Sequence, residues 1–323
     1  MAGFSGLVGL AVVKNEADII EAMIRHNLQF LDALVVVDNA SADQTAQIVG
    51  ALVPEFSGRL QLRHDPRLGH VQQQILNALL RELGANHDIA CFVPLDADEF
   101  LHADRAQLRS CLLAETRPVH LPWITYCPSA SDDASQPNPV LRITHRRQQE
   151  AGQYYKTTFP RALLGQTRLK AGSHSVARQR AFDPQVIAGL ALAHFPIRSP
   201  AQLWAKVVIG ALNMRLRTGA AQGEGAQWHS LYQQLTSGAG LSQAQFLHAA
   251  AHYAARPNHP PVTLVNDPLP VAMGARDLRH SVNEQDVLAL KLAGFAAECV
   301  AKLQPAPQTN RPPNERSDCP FAA

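Results

Sequence analysis

Along the first hundred residues, apolar runs alternate with helical stripes at the spacing that marks parallel β/α units. Residues 7–13 (LVGLAVV) are continuously apolar, the pattern of a strand covered on both faces. Over 17–31, Ile20, Met23, Asn27 and Leu31 recur at helical spacing, and Ile19, Ala22 and Phe30 widen the stripe. Further strands are predicted at 33–37 (ALVVV), 59–64 (RLQLRH) and 89–95 (IACFVPL). Ser41, with Gln44 three residues on, reads as a capping box that opens a helix through Leu52, and 71–83 reads as the third helix.

Past residue 116 the alternation gives way. Residues 118–126 (PVHLPWITY) read as a strand, 128–139 as a loop, and short strand-like pieces continue to about Phe195. Ser199 and Pro200 then offer a cap and a first helical residue. Residues 218–240, rich in Gly, Ala and Gln, are expected to be mobile. Helices are expected near 242–255 and 283–303, followed by a disordered tail at 304–323. No internal repeat is found. The fold class is therefore α/β, with a Rossmann-type sheet between helices and a helical C-terminal extension.

Composition narrows the function. The 323 residues are 46% hydrophobic, enough for a sizeable core, and only 17% charged with a net charge of +2. That balance excludes the strong basic field of a nucleic-acid binder and favours a small-molecule partner. Five cysteines at wide spacing, with no CxxC pair, argue against a disulfide framework or zinc knuckle and for a reducing, cytoplasmic setting. Residues 1–13 lack the basic start of a secretion signal, and no stretch reaches the roughly 20 apolar residues of a membrane span.

The candidate chemistry lies where the fourth strand stops. In FVPLDADEFL (92–101), an apolar run meets Asp96, Asp98 and Glu99, and carboxylates this close require something positive beside them. Open α/β sheets bind ligands beyond the carboxyl ends of their strands, and here the first strand ends in Lys14, Asn15 and Glu16, the second in Asp38 and Asn39. Asp96 and Asp98, two apart in extended chain, lie roughly 6–7 Å apart on one side. That spacing suits one hard divalent cation, Mg²⁺ or Mn²⁺, which would neutralise charge on a departing diphosphate. The plainer alternative is that Asp98 or Asp104 caps a following helix.

The stretch VVKNEADIIEAMIRHNLQFLDALVVVDNASADQT, followed by VPLDADEFL, resembles the glycosyltransferase family 2 superfamily of GT-A fold, nearest a branch that also resembles glycosyltransferase family 92. The resemblance spans about residues 7–105, with a looser continuation to about 210. It implies a hexosyltransferase-type enzyme that moves a sugar from a nucleotide-diphosphate donor, a UDP-sugar foremost, to an acceptor hydroxyl on a glycan or glycolipid. Such transfers usually proceed with inversion and with Mn²⁺ or Mg²⁺. Residues 1–198 would form the transferase domain, divided into a nucleotide-binding half (1–116) and an acceptor half (117–198), with a helical region at 199–303. Nucleic acid is not an expected partner, and a peripheral position at the inner face of the membrane is compatible.

Residue by residue, the resemblance places Lys14, Asn15, Glu16, Asp38 and Asn39 at the nucleoside and Asp96 and Asp98 at the metal. It places His194 as a further metal ligand and Lys156 near the diphosphate. Arg67 has the donor fork to pair with a diphosphate, or is a solvated loop arginine, and one of Gln72–Gln74 could reach the donor. The Glu-Asp pair that often supplies the general base has no match here. Asp132, Asp133, Glu150 and His174 remain unranked candidates for that proton transfer. Two rival functions stay open: a nucleotidyltransferase, although VVKNEADII lacks the glycines of a phosphate loop, and a non-catalytic nucleotide-sugar or carbohydrate binder.

Overall fold

The computed structural model describes residues 4–67, 71–216, 231–233, 235, 241–255, 259–271, 273–280, 282 and 284–303. Most of 218–240 and the whole of 304–323 lie outside the described residues. The central sheet has the order β3-β2-β1-β4-β9, from β1 (Gly6–Val13), β2 (Ala33–Asp38), β3 (Leu60–His64), β4 (Ile89–Leu95) and β9 (Phe159–Pro160). The first four strands run parallel, and β9 closes the β4 edge antiparallel.

Alternation along β2 sorts the core into two faces. Leu34 and Val36 pack with α1 (Ile20–Asn27) and α2 (Thr45–Leu52), whereas Ala33, Val35 and Val37 pack with α3 (Gln72–Leu83). The sheet thus lies between two helical layers, and each fully buried Leu, Ile or Val contributes about 1.5–3 kcal/mol. All eight residues of α1 are buried, polar ones included, because a C-terminal segment covers its outer side: Glu21 accepts the backbone N–H groups of Arg279 and His280 at 2.8–3.1 Å. Asn27, on the predicted apolar stripe, instead ties the layers together by bonding Glu99 O and Leu101 N.

Two local expectations need correction. Ser41 does not cap α2. Its hydroxyl accepts the N–H of Asn15, whose φ of 58° turns the chain after β1, and α2 starts at Thr45, where Asp43 accepts the Thr45 N–H. The acid cluster is not extended chain either, so Asp96 and Asp98 do not share one side of a strand. The chain turns at Asp96–Asp98 into β5 (Glu99–His102), and Asp104 caps α4 (Arg105–Ala114) through Gln107 N–H.

Beyond α4 come β6 (His120–Thr125), the short α5 (Pro139–Arg142), β7 (His145–Arg147), β8 (Tyr155–Thr157) and β10 (Ala191–His194). A second sheet has the order β5-β10-β6-β8, so it begins at the strand that leaves the acid cluster. In that sheet His194 is registered between Glu99 and Thr125. The C-terminal region holds α6 (Pro200–Leu216), α7 (Gln243–Ala251), α8 (Glu284–Leu303) and β11 (Leu264–Asn266), the last paired with β7. Cys91, Cys111, Cys127 and Cys299 are free thiols. No helix among the described residues is long and apolar enough to cross a membrane.

Candidate active site

The carboxyl ends of β1 and β2 open into a cavity of about 400 Å³. Lys14, Asn15, Glu16, Asn39 and Gln72 line its sheet side, and residues of α6 and α8 line the other. The Asn15 side-chain oxygen accepts the N–H groups of Ala42 and Asp43, binding the two strand-end loops together. Asn39 likewise donates to Asp65 O and Arg67 O. Asp38 is buried beside it, with Oδ1 lacking a hydrogen-bond partner. Lys14 pairs with Glu298 of α8.

The acid cluster adjoins this cavity, since Gln72 donates to Asp96 Oδ1 at 2.7 Å. The positive charge demanded by the sequence comes in this structure from the chain's own side chains. Lys156 is 1% exposed and spends its three N–H bonds on Asp96 Oδ2 (2.6 Å), Glu99 Oε2 (3.2 Å) and Gly172 O (3.1 Å). Burial alone would lower its pKa, but Asp96 and Glu99 raise it, so the ammonium persists. Glu99 is fully buried and accepts Trp123 Nε1–H and Asp96 N–H. Burial first, then Asp96 and Asp98, push its carboxyl up to about 8 against the pull of Lys156.

Asp98 has different neighbours. Its Oδ2 lies 3.6 Å from His194 Nε2 and 3.9 Å from Arg198. Burial would raise its pKa, yet His194, Lys206 and Arg198 hold it well below the usual carboxylate range. The His194 ring stacks on Trp123 at 4.0 Å, and its Nδ1 is buried without a partner. Arg198, which nothing in the sequence analysis singled out, is the hub. It forks onto Asp18 at 2.6 and 3.0 Å, bonds Glu16 Oε2 at 2.6 Å and donates to Phe195 O. Against the upward push of burial, Arg198 and Lys291 hold the Asp18 carboxyl down to about 2. Glu16, on a single N–H of the guanidinium, is left raised by burial. The signal that could have found Arg198 was arithmetic: Glu16, Asp18 and Asp98 at strand ends exceed what Lys14 can answer.

His174 sits on the same side. Its ring meets Trp123 edge-on at 5.3 Å, and Nδ1 lies 2.8 Å from Tyr155 O, so Nδ1 carries the proton and Nε2 is the basic nitrogen. Burial, then Lys156, lower its pKa. Four other candidates are engaged elsewhere. Asp132 closes a turn on Ser129 N–H and Oγ, and the exposed Asp133 does the same on Ser135. Glu150 accepts the N–H and hydroxyl of Thr125 and pairs with Arg147. Arg67, half-exposed, forks onto Asp65. Glu150 and Trp123 also line a second, more open depression of about 940 Å³, together with Arg146, Gln149 and Gln153.

The donor chemistry for a divalent ion can be judged from these contacts. Asp96 is taken by Lys156 and Gln72, and no group of three His, Cys, Asp or Glu side chains able to hold a metal occurs among the described residues. Asp98 and His194 are the two adjacent donors that fit such an ion, provided that phosphate oxygens and water complete its shell, as hard cations accept.

No family profile matches the chain, and no curated protein does, so the branch resembling family 92 finds no support there. Solved structures with partial likeness include S. aureus TarS 1–349 in complex with UDP, at 14% identity over 72% of each chain and a TM-score of 0.38. The same fragment with UDP-GlcNAc gives 14% identity over 72% of this chain and 73% of that one, with a TM-score of 0.39. A 4-diphosphocytidyl-2C-methyl-D-erythritol synthase gives 16% identity over 57% and 90%, with a TM-score of 0.35. These overlaps are loose, and the site stands on its own residues.

Proposed function

We propose that this chain is a GT-A-type glycosyltransferase that moves a sugar from a nucleoside-diphosphate donor, UDP-sugars foremost, to an acceptor hydroxyl. The observation that carries the reading is Asp98: an ionised, nearly buried carboxylate in contact with His194, beyond the end of a parallel strand and beside a cavity lined by the ends of its neighbours. The donor's nucleoside would occupy that cavity and its diphosphate would point toward Asp98. Asp98 and His194 would hold Mn²⁺ or Mg²⁺, which supplies Lewis-acid stabilisation of the leaving diphosphate.

The remaining roles belong to the chain. Lys156 compensates Asp96, holds Glu99 in place and has no N–H left for a ligand, so its role is positioning. Arg198 does the same for Glu16 and Asp18. His174 is the base best supported among the candidates, because its Nε2 can accept a proton and its lowered pKa keeps it neutral near pH 7. Direct displacement with inversion is the course that a base acting on the acceptor hydroxyl would serve. Residues 1–198 then form the transferase domain, and 199–303 a helical region that closes the donor cavity.

The test is turnover of UDP-sugars with Mn²⁺, by hydrolysis and by transfer to sugar acceptors, for wild type and Asp98→Ala. Loss of a charge stabiliser should lower kcat by about 100-fold or more while circular dichroism stays unchanged. Binding without turnover in both proteins would favour a carbohydrate or nucleotide-sugar binder. Release of pyrophosphate from a nucleoside triphosphate would favour a nucleotidyltransferase.

A further inference from the structure

The cavity beyond β1 and β2 has two walls, and the second comes from the far end of the chain. In α8, Val287, Lys291, Gly294, Phe295 and Glu298 recur at three- and four-residue spacing and so share one face. That face turns inward. Lys291 is 6% and Phe295 9% exposed, and Lys291, Phe295 and Glu298 all line the 400 Å³ cavity. A lysine so nearly buried needs a counter-charge, and the acids near it, Asp18 at 4.0 Å and Glu16, are both already bonded by Arg198.

The helix is seated closely. A Cβ at position 294 would lie 2.4 Å from Ala42 Cβ, so only glycine lets α8 approach the β2–α2 loop this far. Glycine inside a helix is less favourable than alanine, a cost offset here by the contact it permits. Glu298 closes the same side by pairing with Lys14. Val12, Val13 and Val71 line the same cavity as Phe295, together with the polar side chains of Glu16, Asn39 and Gln72. An apolar slot with hydrogen-bonding groups at its edge matches a nucleobase, which presents flat faces and a polar rim.

We propose that α8 is the second wall of the donor site, with Phe295 lying against the nucleobase and Lys291 adding positive charge on the phosphate side. The assignment rests on the nucleotide-donor reading above. It makes the C-terminal helix part of substrate recognition, and it names two residues of that region as determinants of donor affinity.

UDP and, separately, inorganic pyrophosphate are titrated calorimetrically with Mn²⁺ into the full chain: wild type, Phe295→Ala and Phe295→Leu. Base stacking on an aromatic ring predicts that Phe295→Ala weakens UDP by about 10-fold or more and leaves pyrophosphate within about twofold. Phe295→Leu, which keeps most of the apolar volume and hence the fold, should fall between. Unchanged UDP affinity in both variants overturns the proposal. Tighter UDP binding overturns it too, since α8 would then be an obstruction. Equal weakening of UDP and pyrophosphate also overturns it, because the effect would then be a general loosening. If wild type binds no UDP at all, the donor reading falls and the helix's role with it; wild-type binding with indifferent variants removes only the helix's role.

Discussion

Replacing Arg198 by methionine tests the electrostatic core of the site. The guanidinium is 1% exposed and makes four close contacts, three of them to Asp18 and Glu16. Methionine fills similar volume but leaves two carboxylates without their partner, and breaking a buried pair from one side costs about 3–5 kcal/mol. The pKa gives an independent estimate: holding the Asp18 carboxyl at about 2 instead of 3.8 corresponds to roughly 2 kcal/mol from that residue alone. The two figures agree in scale, with Asp18 alone setting the lower one. Urea denaturation at pH 6 should therefore show Arg198→Met less stable by about 3–5 kcal/mol. At about 2 °C per kcal/mol for a chain of this size, the melting temperature should drop by roughly 6–10 °C. A depressed acid stabilises above its unfolded pKa and loses that contribution as pH falls through its folded one. The gap between wild type and variant should then be complete at pH 6 and shrink between pH 4 and 2. Lysine at 198 cannot span both acids with one ammonium and should resemble methionine more than arginine. A gap below about 1 kcal/mol at pH 6, or one that persists undiminished in acid, would refute the reasoning.

Two further outcomes follow from neighbouring features. Glu99, whose folded pKa near 8 stands above its ordinary 4.5, retains its proton on folding, so wild-type stability should decline as pH rises across that interval. Urea midpoints from pH 5 to 9 measure the slope, Glu99→Gln should flatten it, and an equal slope in both proteins would contradict the shift. Gly6 has φ 65°, and a Cβ there would lie 2.2 Å from Asp32 Oδ2, the acceptor of Leu7 N–H. Gly6→Ala should cost about 1–3 kcal/mol in urea denaturation, and an unchanged midpoint would show that the turn tolerates a side chain.

The β/α framework was legible because its signals are local. Residues 7–13, 33–37, 59–64 and 89–95 are apolar runs bounded by polar strand ends, and the structure places β1 to β4 on them. The stripe at 71–83 gave α3 by the same logic. Ser41 departs from its capping-box spacing because a serine at the right spacing can be claimed by another loop, here by Asn15. In the site, the need for positive charge around Asp96, Asp98 and Glu99 was legible, but its source was not. Lys156 is 60 residues from Asp96, and Arg198 is 180 from Asp18, so neither pairing leaves a periodic trace.

By itself, the order of apolar and polar residues determined a parallel sheet between helices and put carboxylates at the strand ends, since strand period, helix period and turn chemistry act over a few residues. Which carboxylates share a cation, which loop acids turn inward, and that the last helix closes the cavity at the first strand were decided by packing. Those contacts join residues distant in the chain, and their energy depends on burial and geometry that exist only once the layers have assembled.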